Sequence, residues 1–259
     1  MTLSKSALTV TSLAMAMLFG GGVYLLMNMN VIAKNYIERE ATKTLGVSVK
    51  LGGLEIMVQD RTAKVTDLVI GNPEGFEKPY AVKVSTISVV LSNATNQLVE
   101  FKDIDVGSAE VNLEVKENIT NLAAIKNRVK VTENDSATAE AVKVIIDKLT
   151  LSQAQIKPGK VLFTEEELAP VQVPDIVLTA VGRRENGILV REAIAQVWTH
   201  IAHKLDTQAL QSGLLEGMSD EALQDMGLGF GQRFKENLHE TIQEKKDAVG
   251  QGIDSFFND

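Results

Sequence analysis

The sequence predicts an α+β protein with one N-terminal transmembrane helix, an antiparallel β-sheet and C-terminal amphipathic helices. Three observations carry this. No charge falls between Lys5 and Lys34, and the stretch from Ala7 to Met27 is densely apolar. From Val47 onward apolar residues recur at every second position, and beyond Val190 they recur at three and four.

A bilayer core of roughly 30 Å needs about 20 apolar residues as a helix, so the first run is long enough to span. Ala14-Met15-Ala16 has the small-x-small form of a signal-peptide cleavage site, but it falls inside the apolar run. An uncleaved signal-anchor over residues 1–33 is therefore expected. Gly20, Gly21 and Gly22 are tolerated in such a span and permit close packing of another helix. Lys34, Arg39 and Lys43 outnumber Lys5 and the α-amino group, which favours the second side as cytoplasmic. Long domains translocate despite this count, so charge leaves the orientation open.

A connector helix is expected over 34–46, because Lys34, Ile37, Ala41 and Leu45 keep helical spacing and Gly46 ends it. A β-rich domain follows over 47–182. Val47, Val49 and Leu51 alternate with polar partners, then Leu54, Ile56 and Val58 after Gly52-Gly53. Ala63 to Ile70 reads as a strand, closed by the turn chemistry of Gly71-Asn72-Pro73-Glu74-Gly75. Further strands are expected at Val82 to Leu91, Phe101 to Val106, Ala109 to Val115, Val142 to Leu151, around Ile156 and at Val161 to Phe163. Asn118 to Lys130 reads as a short helix and Val131 to Ala141 as a polar, mobile loop. Pro170 and Pro174 mark an edge strand ending near Val181.

The region 183–259 reads as helical. Val190, Ile194, Val197, Ile201 and Leu205 form one stripe. Ser219 before Asp220 and Glu221 is an N-cap for a helix reaching Met226. A last amphipathic helix carries Phe230, Phe234, Leu238 and Ile242, then Val249, Ile253 and Phe256. Its acids, among them Glu236, Glu240 and Glu244, argue against an anionic membrane surface and favour docking onto protein.

A formal net charge of −8 argues against a nucleic-acid partner. With no cysteine, disulfides, zinc–thiolate sites and thiol nucleophiles are excluded. No phosphate loop, Gly-x-Ser-x-Gly or dinucleotide fingerprint occurs, so no enzyme activity and no cofactor is expected. His200 and His203 could face one way on their helix, but a metal site needs three or more ligands. His239 and the run Glu165-Glu166-Glu167 read as solvated. The inner face of the sheet, with Val47, Val49, Ile56, Val65, Val111, Leu113 and Val115, is either ordinary core or an apolar groove for acyl chains.

Several segments carry a resemblance. They are Leu51-Gly52-Gly53-Leu54-Glu55-Ile56, the run Thr62 to Phe76 with its Asn-Pro-x-Gly-Phe turn, Ile104 to Glu114, and Asn121-Leu122-Ala123-Ala124-Ile125. In order and wording they resemble the N-terminal module of the bacterial AsmA-like proteins, over residues 1 to about 155. The resemblance implies a bacterial inner-membrane anchor with a periplasmic domain, which sets the orientation. It also implies a half-barrel β-groove related to envelope lipid-transfer proteins. About eight strands at about 4.8 Å each would give a groove of only about 40 Å, too short for a lone bridge between two membranes. The expected role is non-enzymatic lipid handling or envelope maintenance with phospholipid as ligand. The alternative is a structural subunit of a larger inner-membrane assembly, with a protein partner or a homo-oligomer.

Overall fold

The computed structural model describes residues 29–95, 97–129, 142–159 and 169–228. Among them no helix is long and apolar enough to cross a membrane. The expected span with Gly20 to Gly22, the loop Val131 to Ala141, the strand Val161 to Phe163 and the helix Phe230 to Phe256 all lie outside the described residues. The chain divides into two compact units, Met1–Leu215 and Glu216–Asp259.

The first unit is α+β, a sheet curled into a half-barrel with few helices. Helix α1 occupies residues 29–45 and ends at Gly46, whose φ of +67° suits a residue without a side chain. Strands β1 (Val49–Lys50), β2 (Gly53–Met57), β3 (Thr62–Gly71), β4 (Tyr80–Ala94) and β5 (Leu98–Leu113) follow. A small hairpin, β6 (Val115–Lys116) and β7 (Ile119–Thr120), leads into α2 (Asn121–Arg128). Then come β8 (Lys143–Leu151), β9 (Ala154–Pro158), β10 (Val171–Val173), β11 (Ile176–Val181), β12 (Ile188–Leu189) and α3 (Val190–Gln211). In the second unit Ser219 caps α4 (Asp220–Asp225), its hydroxyl accepting from the Ala222 N–H, as the sequence predicts.

Ten strands form one sheet in the order β1-β3-β4-β5-β8-β11, so about eight strands becomes six ladder positions, with β2 in line with β1, β9 with β8, and β10 and β12 with β11. The antiparallel expectation needs correction at the centre, where β5 runs parallel to β8 and β9. The reason is the crossover through α2, which returns the chain to the end of the sheet where β5 began. Phe101 to Val106 and Ala109 to Leu113 are one strand rather than two, and Val115 belongs to the separate hairpin, outside the sheet.

Two apolar rows cross the whole sheet. Val49, Ile70, Val82, Val111, Ile156 and Val171 are successive cross-strand partners. So are Leu54, Val65, Ile87, Val106, Leu151 and Ile176. Between the rows the period-two pattern slips by one residue in every strand. Leu51/Leu54, Val65/Leu68, Val84/Ile87, Val106/Ala109, Leu151/Ala154 and Val173/Ile176 are each three apart, where alternation gives two. At the same level the backbone leaves the extended region, with φ near +50° at Asp67, Ser108 and Gln153. There too β1 gives way to β2, β8 to β9 and β10 to β11. A bulge-like residue re-aims the side chains beyond it, so this transverse crease accommodates the slip. Gly52 sits on it: its N–H donates to both Thr66 O and Asp67 O, and a Cβ there would lie 2.7 Å from Asp67 Cβ.

The β1–β2 edge is sealed by α1. Thr42 Oγ1 accepts from Val49 N (3.0 Å), Glu38 Oε1 from Leu51 N (2.7 Å) and Asn30 Oδ1 from Ile56 N (3.1 Å). Lys34 Nζ lies 3.3 Å from Glu38 Oε1, so residues 30, 34, 38 and 42, one helical turn apart, make a polar stripe against the strand edge. The bond from Leu51, opposed by burial, holds the Glu38 carboxyl below its usual 4.5. Glu38→Ala leaves the Leu51 donor without its partner and should cost about 1–3 kcal/mol at pH 7 in urea unfolding. The part that depends on charge is present above pH 4.5 and lost as pH falls through the lower folded-state value. A difference that does not change between pH 7 and pH 3 would count against this account.

Candidate functional site

The residues expected to line a groove separate into covered and half-open groups. Val49 is 2% exposed, Val111 0% and Leu113 2%, and Val47 and Val65 are also buried, so these five are core. Ile56 is half-buried, within the lower half of the sheet, beyond the crease from β9 and β10. There β8 and β11 are covered, with Leu149, Leu151, Ile176 and Leu178 all buried. Toward β2, β3 and β4 the same rows stay half-open, at Leu54, Ile56, Ile87, Leu91, Phe101 and Ile104. This half-open strip lies at the end of the half-barrel where α1 begins, fixed by the Asn30–Ile56 bond. Val31, Ile32, Val58 and Val90 are large apolar residues exposed at or near that end.

The opposite end is closed by a polar clamp. Glu114, almost fully buried, accepts from Glu77 N (2.8 Å), Lys78 N (3.0 Å) and Asn72 Nδ2 (2.5 Å). Asn121, fully buried, donates to Asn72 Oδ1 and Asn112 O and accepts from Glu114 N. The Asn-Pro-x-Gly-Phe turn is therefore pinned to the end of β5 and the start of α2. Its polar residues satisfy one another rather than solvent or a ligand.

Helix α3 buries Ala193, Ala195, Trp198, Ala202, Leu205 and Ala209, while Ile194, Val197 and Ile201 are only half-buried. The expected stripe is thus rotated by about one residue, because the small alanines let α3 approach its neighbours closely. Within that face sits Asp206, 0% exposed. Thr120, which caps α2 by accepting from Ala123 N, donates to Asp206 Oδ1 at 2.8 Å, and among the described residues Oδ2 has no partner. Burial pushes this carboxyl up to about 7, against the opposing pull of Thr120 and Lys126. The sequence signal was an acid inside the spacing Ala202, Leu205, Ala209, and the stripe assumed from Ile194 and Ile201 hid it.

Between α3 and β11 lies a cleft of about 850 Å³. Five consecutive residues of β11, Val177 to Val181, form one wall, and Ala195, Gln196, Thr199, His200 and His203 form the other. His200 and His203 do share a face, and burial, with Lys126 and Lys204 nearby, lowers the His203 pKa. Among the described residues no third ligand joins them into a metal-binding group. Among the described residues Tyr80, Glu110 and Lys157 form a titratable cluster built on an ion pair. Lys157 Nζ is 2.6 Å from Glu110 Oε2, and Tyr80 donates to Oε1. Lys157 holds the Glu110 carboxyl low, and Glu110 in turn raises Lys157 and Tyr80. That arrangement leaves no group poised as a base near a nucleophile. The helix-borne candidates Phe230, Phe234, Leu238, Ile242, Val249, Ile253 and Phe256 lie outside the described residues.

No protein-family model, no curated protein and no solved structure matches this chain.

Asp206 makes stability depend on pH. An acid ionising near 7 when folded and at 3.8 when unfolded gives full stability below 3.8 and loses it as pH rises to about 7. At about 1.4 kcal/mol per unit the loss is at most about 4 kcal/mol. Asp206→Asn keeps an acceptor for Thr120 without the charge, so it should raise stability by about 2–4 kcal/mol at pH 8 and by nothing at pH 3.5. Urea titrations at the two pH values check this; an equal effect at both removes Asp206 as the cause.

Proposed function

We propose that this chain is a non-enzymatic, membrane-anchored envelope protein that handles phospholipid at the half-open end of its half-barrel. The reading combines the apolar N-terminal run, the AsmA-like order of segments and the apolar strip at Leu54, Ile56, Ile87 and Phe101. It assigns the anchor to the bacterial inner membrane and the half-barrel to the periplasm.

One observation carries it. Asn30 is only three residues beyond Met27, the end of the apolar run, and its side chain bonds to Ile56 N at 3.1 Å. Three residues span at most about 10 Å of chain. If the run crosses the bilayer, the half-open strip is therefore held within about 10 Å of the hydrocarbon core. The exposed Val31, Ile32 and Val58 then meet the interface rather than water. An acyl chain leaving the bilayer would find the apolar strip first. The polar clamp of Glu114 and Asn121 lies at the far end. The covered upper core makes the lower half, not the whole groove, the lipid-binding part.

Purification of the full chain in mild detergent, with native mass spectrometry and lipid analysis of the same sample, tests this. Bound phospholipid is expected. Ile56→Asp puts a charge where an acyl chain would lie and should lower its occupancy about tenfold, whereas Lys83→Asp on the polar face should not. A chain that retains no lipid, or retains it equally in both variants, would reject the reading.

A further inference from the structure

We propose that α3 is a proton-dependent latch: with Asp206 protonated it stays seated on the cap of α2, and ionisation of Asp206 releases α3 locally while the sheet stays folded. This is independent of lipid binding. Asp206 is 0% exposed on the packed face of α3, beside Leu205 and Ala209. Its bond from Thr120 spans 86 residues and joins α3 to the residue that caps α2. A protonated carboxyl is neutral in this place. A carboxylate there has one hydroxyl donor to replace the water it has lost.

The charged groups around α3 do little to offset this. Among the strands packed against it, β10, β11 and β12 carry no charged residue, and β8 carries Lys143, Asp147 and Lys148. Helix α2 carries Lys126 and Arg128. Of these only Lys126 acts on Asp206, and its pull is smaller than that of Thr120 and far smaller than the opposing effect of burial. On α3 itself His203 and Lys204 lie within a turn of Asp206, and both are exposed.

An ionised Asp206 favours any state in which water reaches it, and the state populated first is the one that breaks least. Lifting α3 breaks the Thr120 bond and uncovers a face of one tryptophan, one leucine and four alanines. Unfolding the sheet breaks the long ladders of β3, β4 and β5 as well. The start of α2 has its own hold. Asn121 bonds to Asn72, Asn112 and Glu114, none of them on α3, and Thr120 still accepts from Ala123 N. The opening therefore falls on α3 and leaves the polar clamp in place.

Hydrogen exchange of the full chain in mild detergent, read by mass spectrometry from pH 5 to 8 and divided by the intrinsic exchange rate, tests the proposal. In wild type the opening constant of α3 peptides should rise by up to about tenfold per pH unit below 7 and level off above it. Peptides from β3, β4, β5 and the start of α2 should keep their protection throughout. Asp206→Asn should flatten the response of α3. An α3 opening that does not change with pH, or changes equally in Asp206→Asn, overturns the proposal. So does a loss of protection in β3 to β5 in step with α3, because Asp206 would then act on global unfolding alone.

Discussion

A curled sheet can keep an apolar side only if every strand turns its apolar residues the same way at the same level. Here that constraint is met along one line. All six ladder positions carry a three-residue step between apolar positions, and the steps coincide when the strands are paired. A single slipped strand would be destabilised, because a shift of one residue sends its whole apolar set to the other face. Slips in register with one another do not conflict. Asp67, Ser108 and Gln153 take the left-handed conformation there, and Ser108 Oγ donates to Gln153 Oε1 across β5 and the β8–β9 break. The crease divides the sheet into an upper half closed by the Glu114 clamp and a lower half that is closed only toward α3.

The two edges then give the lower half its direction. On one side the stripe of α1 satisfies the strand's outward donors with side chains one helical turn apart, so the helix is committed to lie along the edge. The same stripe fixes which end of the half-barrel lies beside the start of α1. On the other side α3 packs against β8 and β11, with the cleft lying between α3 and β11. Among the described residues the result is a sheet with one edge sealed by α1, one end closed by the Glu114 clamp and one half-open end.

Much of this was legible in the sequence, strand by strand. The alternation of Ala109 to Leu113, the turn after Ile70, the Ser219 cap and the edge strand flagged by Pro174 are local patterns, and local physics produces them. What was not legible depends on partners. Gly52-Gly53 read as a break between strands, yet its meaning as part of a sheet-wide crease exists only once Leu54, Val65 and Ile87 are known to be neighbours. The parallel pairing of β5 with β8 comes from the crossover through α2, which no alternation pattern encodes. Val115 kept the rhythm of β5 but lies past Glu114, where the chain turns into the hairpin. On α3 the larger residues Ile194 and Ile201 attracted the helical reading, whereas close packing selected Ala195, Ala202 and Ala209.

The polar residues that made the sequence look familiar bear on architecture more than on chemistry. Asn72 comes from far along the chain to meet Asn112, Glu114 and Asn121; the side chains of Asn72, Glu114 and Asn121 bond one another or a member's backbone, while the Asn112 side chain donates to Tyr80 O. Buried polar groups of this kind are costly unless fully paired, so changing one would strand the others. Such a set can persist wherever this corner of a fold is built, whatever the protein does. Activity must then be sought where side chains are not already committed to one another. Among the described residues of this chain, one such place is the half-open apolar strip beside α1.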